Sequence, residues 1–197
     1  QTNEEIILEF MANRNSTSST TDEIIFYIDD IKLINKDITQ SGMLSYNTPI
    51  AIDNSIIELP IIELGSDLSI NINNSTVRSI ETIDEKSSIS LFNSTVINSG
   101  SNGLSTNGDN AEITLQYSFV KDNGGIGIST LGLGSHVHLS SSMVTNNGGF
   151  GIQSAGQVNS NYSNITFNED DGVYLTGNNF SNIKNSIIWG NDIVNYN

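Results

Sequence analysis

The chain has 197 residues and a formal charge of −15, with only 7 Lys and Arg against 22 Asp and Glu. No basic face is available to neutralise phosphates, which excludes nucleic acid as a partner, and the lack of cysteine excludes disulfides and thiolate metal sites. No apolar run approaches the ~18 residues that span a membrane, so no membrane insertion is expected, and the length suits one domain with its own core.

Residues 1–23 come first, and "NEEIILEF" at 3–10 reads as a capping strand. This segment is expected to be an N-terminal cap or the end of a preceding module. From 24 to 197 the chain repeats itself. Asp30, Asn54, Asn74, Asn93, Tyr117, Ser141, Ser163 and Asn185 form one column of equivalent positions, spaced 24, 20, 19, 24, 24, 22 and 22 residues apart by their own numbers. Two residues earlier stand Ile28, Ile52, Ile72, Leu91, Leu115, Leu139, Asn161 and Ile183. Four earlier stand Phe26, Ile50, Ile70, Ile89, Ile113 and Val137, and three later stand Leu33, Ile57, Val77, Val96, Val120, Val144, Thr166 and Ile188. In this register only the seventh copy, "VNSNYSNITF", breaks an apolar column, through Asn159 and Asn161.

Each copy alternates apolar and polar residues, turns a corner, alternates again, and passes through an Asn- and Gly-bearing loop to a third short strand such as "GIGI" at 125–128 or "GVYL" at 172–175. Period-two alternation marks strands with one buried face. Three short strands per ~22 residues, repeated in register, make one coil of a parallel β-solenoid. Asn-Ser, as in "NSII" at 54–57 and "NSTV" at 74–77 and 93–96, marks the corner, because Asn tolerates unusual dihedrals and bonds neighbouring backbone. The register turns Ile28, Ile52, Ile72, Leu91, Leu115, Leu139, Val96, Val120 and Val144 inward.

The repeat, and "NSIIWGN" at 185–191 in particular, resembles the pectin-lyase-like superfamily as found in secreted bacterial cell-surface β-helix proteins. The resemblance implies an all-β, right-handed parallel β-helix of about eight coils over 24–197, with a short N-terminal capping segment over 1–23. It also implies an extracellular or cell-surface setting. The superfamily holds lyases, hydrolases and epimerases of polysaccharides, but also adhesins without catalysis. "EIIFYIDDIKLI" at 23–34 resembles the closing strand of jelly-roll carbohydrate-binding modules, yet Phe26, Ile28 and Leu33 fit the β-helix columns, and it is taken as the first coil.

Catalytic candidates are sparse. Asp170 and Asp171 fall where other coils carry "NGG", in a turn; Arg78 stands alone; His136 and His138 point outward on one strand without a third ligand. Two outward features are more informative. Asp29, Asp30 and Asp53 meet by coil stacking at ~4.8 Å, where carboxylates repel unless a cation such as Ca2+ intervenes. On the second strand, Thr95, Phe119, Met143, Ile165 and Ile187, then Ile97, Lys121, Thr145, Phe167 and Trp189, are expected outside. Phe119, Lys121, Phe167 and Trp189 are the ligand-binding candidates, in a stripe that grows more aromatic toward Trp189. The expected function is a non-catalytic adhesive or glycan-binding module. Its expected partners are a polysaccharide or cell-surface glycan, or a neighbouring protein chain at the C-terminal end. The alternative is a polysaccharide-active enzyme, a lyase or glycoside hydrolase, or part of one.

Overall fold

The computed structural model describes residues 26–29, 32–33, 43–177 and 180–192. The expected cap over 1–23, Asp30, and the side chains of Ile28 and Asp29 lie outside what is described. The described residues contain strands and no helix, and hence no helix long and apolar enough to cross a membrane.

The chain winds into a parallel β-solenoid. The first strand of each turn stacks on the next in a sheet of eight: Phe26–Asp29, Ile50–Asp53, Ser69–Asn73, Ser88–Phe92, Glu112–Gln116, His136–Ser140, Gln157–Asn161 and Asn182–Lys184. Eight strands enclose seven complete turns, one fewer than the eight coils expected. Second and third strands of all turns share a thirteen-stranded sheet. In the two short turns they run together, as Ile56–Leu64 and Thr76–Thr82, with a register shift between Ile57 and Pro60. Longer turns insert a Gly-bearing loop that parts them, as in Thr95–Ile97 and Leu104–Thr106.

The inward columns are buried as their alternation requires. Ile52, Ile72, Leu91, Leu115, Leu139, Val96, Val120 and Val144 belong to one hydrophobic cluster. Each such side chain contributes roughly 1.5–3 kcal/mol by leaving water.

The seventh copy departs from the expected register by one residue. Val144 pairs with Ile165 and Leu139 with Ser160, so the inward residues are Ile165 and Ser160 rather than Thr166 and Asn161. Thr166, Asn161 and Asn164 face outward, and Asn159 follows the outward His138. The column is therefore broken by Ser160 alone, and its hydroxyl lies 3.1 Å from that of Ser186. Phe167 leaves the outward strand face and takes the corner instead, with φ 55°.

Candidate functional site

The corners hold the turns in register and so aim every outward side chain. At the first corner Asn54, Asn74, Asn93, Tyr117, Ser141, Tyr162 and Asn185 all adopt positive φ between 46° and 52°. The next residue is Ser in each turn. Its hydroxyl donates to the carbonyl two residues back, as Ser118 does to Gln116 at 2.8 Å. The same oxygen accepts the amide of the Ser in the preceding turn, as Ser118 Oγ does from Ser94 N at 3.1 Å. This continuous serine ladder from Ser55 to Ser186 is the reason for the recurring Asn-Ser pair.

A second ladder, not foreseen from the sequence, holds the next corner. Asn123, Asn147, Asn168 and Asn191 pass amide hydrogen bonds from turn to turn, each Nδ2 donating to the following Oδ1 at 2.9 Å. Gly127 precedes the third strand beside it. A Cβ there would stand 2.7 Å from Asn147 Nδ2 and 2.7 Å from the Gly151 carbonyl, so only glycine fits.

Between these corners lies the face formed by the second strands. Phe119, Met143, Asn164 and Ile187 occupy one outward row, and Lys121, Thr145, Thr166 and Trp189 the other. Phe119 is 42% exposed and Trp189 64%. Lys121 lies 3.6 Å from the Asp122 carboxylate. Thr166 and Thr145 join their hydroxyls at 3.2 Å. Phe119 and Lys121 thus sit on one strand, and Trp189 three strand spacings away, about 14 Å along the solenoid axis. Phe167 reaches Trp189 from its corner, edge to face, with centroids 5.3 Å apart. The four ligand-binding candidates therefore form two pairs at opposite ends of a strip floored by Met143, Thr145, Asn164 and Thr166.

Two further aromatic pairs lie elsewhere on the surface. Phe92 meets Tyr117 edge-on at 5.9 Å, and Phe150 stacks on Tyr174 at 4.7 Å. Their sequence signal is a separation close to one repeat length, 25 and 24 residues, which stacking converts into contact.

Asp53 stands opposite Asn73 and, by backbone pairing, opposite Asp29. Its Oδ1 accepts the Asn54 amide at 3.0 Å and Asn74 Nδ2 at 3.1 Å, and Asn74 Oδ1 accepts Asn93 Nδ2 at 3.0 Å. Among the described residues no three His, Asp or Glu side chains gather at one point. Asp170 and Asp171 are exposed in their turn, where the Asp171 carbonyl accepts the Gly151 amide at 3.0 Å. His136 and His138 stack along their strand, and His138 lies 3.9 Å from Glu112. One buried carboxyl was not singled out by the sequence: Glu63, wholly inaccessible, on the inward side of Ile56–Leu64. Burial raises it from 4.5 to about 7, the adjacent Ser87 hydroxyl opposes the rise, and the Asp84 charge adds to it.

Comparison of the chain with protein-family models, with curated proteins and with solved structures finds no match. The functional reading therefore rests on the solenoid and its faces.

Proposed function

We propose that the chain is a non-catalytic extracellular or cell-surface β-helix module, adhesive in role, that binds a polysaccharide or cell-surface glycan along the face of its second strands. The observation that carries this reading is the strip from Phe119 to Trp189. Exposed aromatic anchors at its two ends bracket a floor of Met143, Thr145, Asn164 and Thr166 on one sheet face. Aromatic faces cover the apolar side of a sugar ring, while hydroxyl, amide and ammonium groups bond its hydroxyls. The resemblance of the repeat to pectin-lyase-like β-helices of secreted bacterial surface proteins supports the extracellular setting, and a strongly acidic surface suits it. A Ca2+ ion at Asp29, Asp30 and Asp53 belongs to the same reading, since Asp29 and Asp53 are register partners one strand spacing apart.

The test is a glycan array with and without calcium, followed by Trp189 fluorescence titration with any sugar retained. Binding that shifts Trp189 emission, and that Trp189→Ala and Phe119→Ala each weaken at least about tenfold, supports the proposal. An array without retention, or binding untouched by both substitutions, sinks it. Polysaccharide cleavage in the same samples would move the reading to the enzymatic alternative. Concentration-dependent light scattering would move it to a neighbouring protein chain.

A further inference from the structure

The inside of the solenoid carries an unexplained charge. Third strands turn two columns inward. Ile61, Ile80, Leu104, Ile128 and Ile152 fill one. The other is polar and just as buried: Glu63, Thr82, Thr106, Thr130 and Ser154 in consecutive turns. At its far end the hydroxyls satisfy one another, Thr130 donating to Ser154 at 2.7 Å. At its near end they do not. Both carboxylate oxygens of Glu63 and the hydroxyls of Thr82 and Thr106 are buried without a partner.

Neighbouring groups are engaged elsewhere. Ser87, beside the carboxylate, gives its hydroxyl proton to the Gly65 carbonyl at 3.0 Å. Asp84, the titratable group that faces Glu63, accepts the Gly65 amide on Oδ2 at 2.7 Å. The ion pairs among the described residues are Lys86–Asp67, Lys121–Asp122 and His138–Glu112, and none of them reaches Glu63. A buried carboxylate in this state needs a proton or a cation, and unfilled polar atoms beside it need a ligand.

We propose that Glu63, together with Thr82, Ser87 and Asp84, forms an interior binding site for a hard divalent cation of the calcium kind. The donors are oxygens throughout, which suit Ca2+ and exclude softer metals. Oxygens of successive turns recur at ~4.8 Å, about twice the 2.3–2.6 Å of a Ca2+–O bond, so an ion between two turns bridges them. Two carboxylates balance its charge. A water on the ion reaches onward to Thr106, the remaining unpartnered hydroxyl. The site lies inside the coil and is independent of the glycan face and of Asp53 outside.

The experiment is thermal unfolding after refolding from urea at about pH 8, in calcium chloride or in chelator, so that the buried site is filled or left empty. Wild type, Glu63→Gln, Thr82→Val and Asp53→Asn are compared. Calcium should raise the midpoint of wild type and of Asp53→Asn, and leave that of Glu63→Gln unmoved. The rise in wild type should shrink near pH 5, where protons occupy the carboxyl. The proposal is overturned by a wild type indifferent to calcium, by a Glu63→Gln protein that keeps the full response, or by a response lost only in Asp53→Asn. Should Glu63→Gln fail to refold, Thr82→Val decides: a reduced response upholds the site and an undiminished one rejects it.

Discussion

A carboxyl held at about 7 in the folded chain, against an ordinary 4.5, binds its proton more tightly folded than unfolded. The stability contributed by protonated Glu63 is therefore whole below about 4.5, declines as pH rises from there to about 7, and is lost above. The shift corresponds to about 3 kcal/mol. Urea unfolding in chelator should show wild type losing stability between about pH 4.5 and about pH 7 relative to Glu63→Gln, which cannot titrate there. Parallel curves for the two proteins would contradict this. Asn147 makes a second prediction. It donates to Asn168 and to the Val120 carbonyl at 2.9 and 3.2 Å, and accepts the Asn123 side-chain and backbone amides at 2.9 and 3.3 Å. Asn147→Ala removes all four bonds and leaves the Asn123 side-chain and backbone amides without their acceptor in the interior, while Asn168 Oδ1 keeps the residue-147 backbone amide at 3.2 Å; it should cost about 2–3 kcal/mol in urea unfolding. Neither residue stood out in the sequence. Glu63 is one charge among 22 acidic residues, and only the register of "IIELPIIEL" decides that it points in. The Asn ladder sits one position beyond the positive-φ corner residues Asn98, Asp122 and Asn146, and it ends at Ser99, whose amide donates to Asn123 Oδ1 at 3.0 Å, so no single column of like residues marks it through every turn.

At the scale of a turn, the strands and inward columns were legible because apolar residues alternate in eight aligned copies. Register failed in the seventh. There Ser160 takes the place of an apolar residue, and a one-residue slip exchanges the faces of Ile165 and Thr166. The slip misplaced Phe167, so the sequence offered one continuous stripe where the fold makes two pairs of anchors. Two substitutions probe the turns directly. Val120→Asp sets an unpaired charge between Val96 and Val144 in the core and should abolish cooperative unfolding of the neighbouring turns. A soluble V120D protein with an unchanged midpoint would refute the register. Gly127→Ala drives a methyl against Asn147, Gly151 and Val144, each 2.7 Å away, and should lower stability by about 1–3 kcal/mol in thermal or urea melts.

Across the whole molecule, each turn touches only its neighbours, so stability adds turn by turn. In the last described turn the inward residues are less covered than those of the middle turns: Ile183 is 39% exposed and Ile188 44%, where Leu139 is 3% and Val144 0%. Hydrogen exchange should accordingly be slowest in the strands from Ser88 to Thr145 and faster over 182–189. The unequal lengths of the turns have a mechanical counterpart. The corner residues Asn54, Asn74, Asn93, Tyr117, Ser141, Tyr162 and Asn185 divide the coil into windings of 20, 19, 24, 24, 21 and 23 residues by their own numbers. Pulled from its two ends, such a coil unreels like thread from a bobbin, one winding at a time. Each release lengthens the chain by about 65–80 Å at ~3.4 Å per residue. The two short windings between Asn54 and Asn93 would pay out the least thread, so the spacing of the force peaks would report where along the coil each rupture occurred.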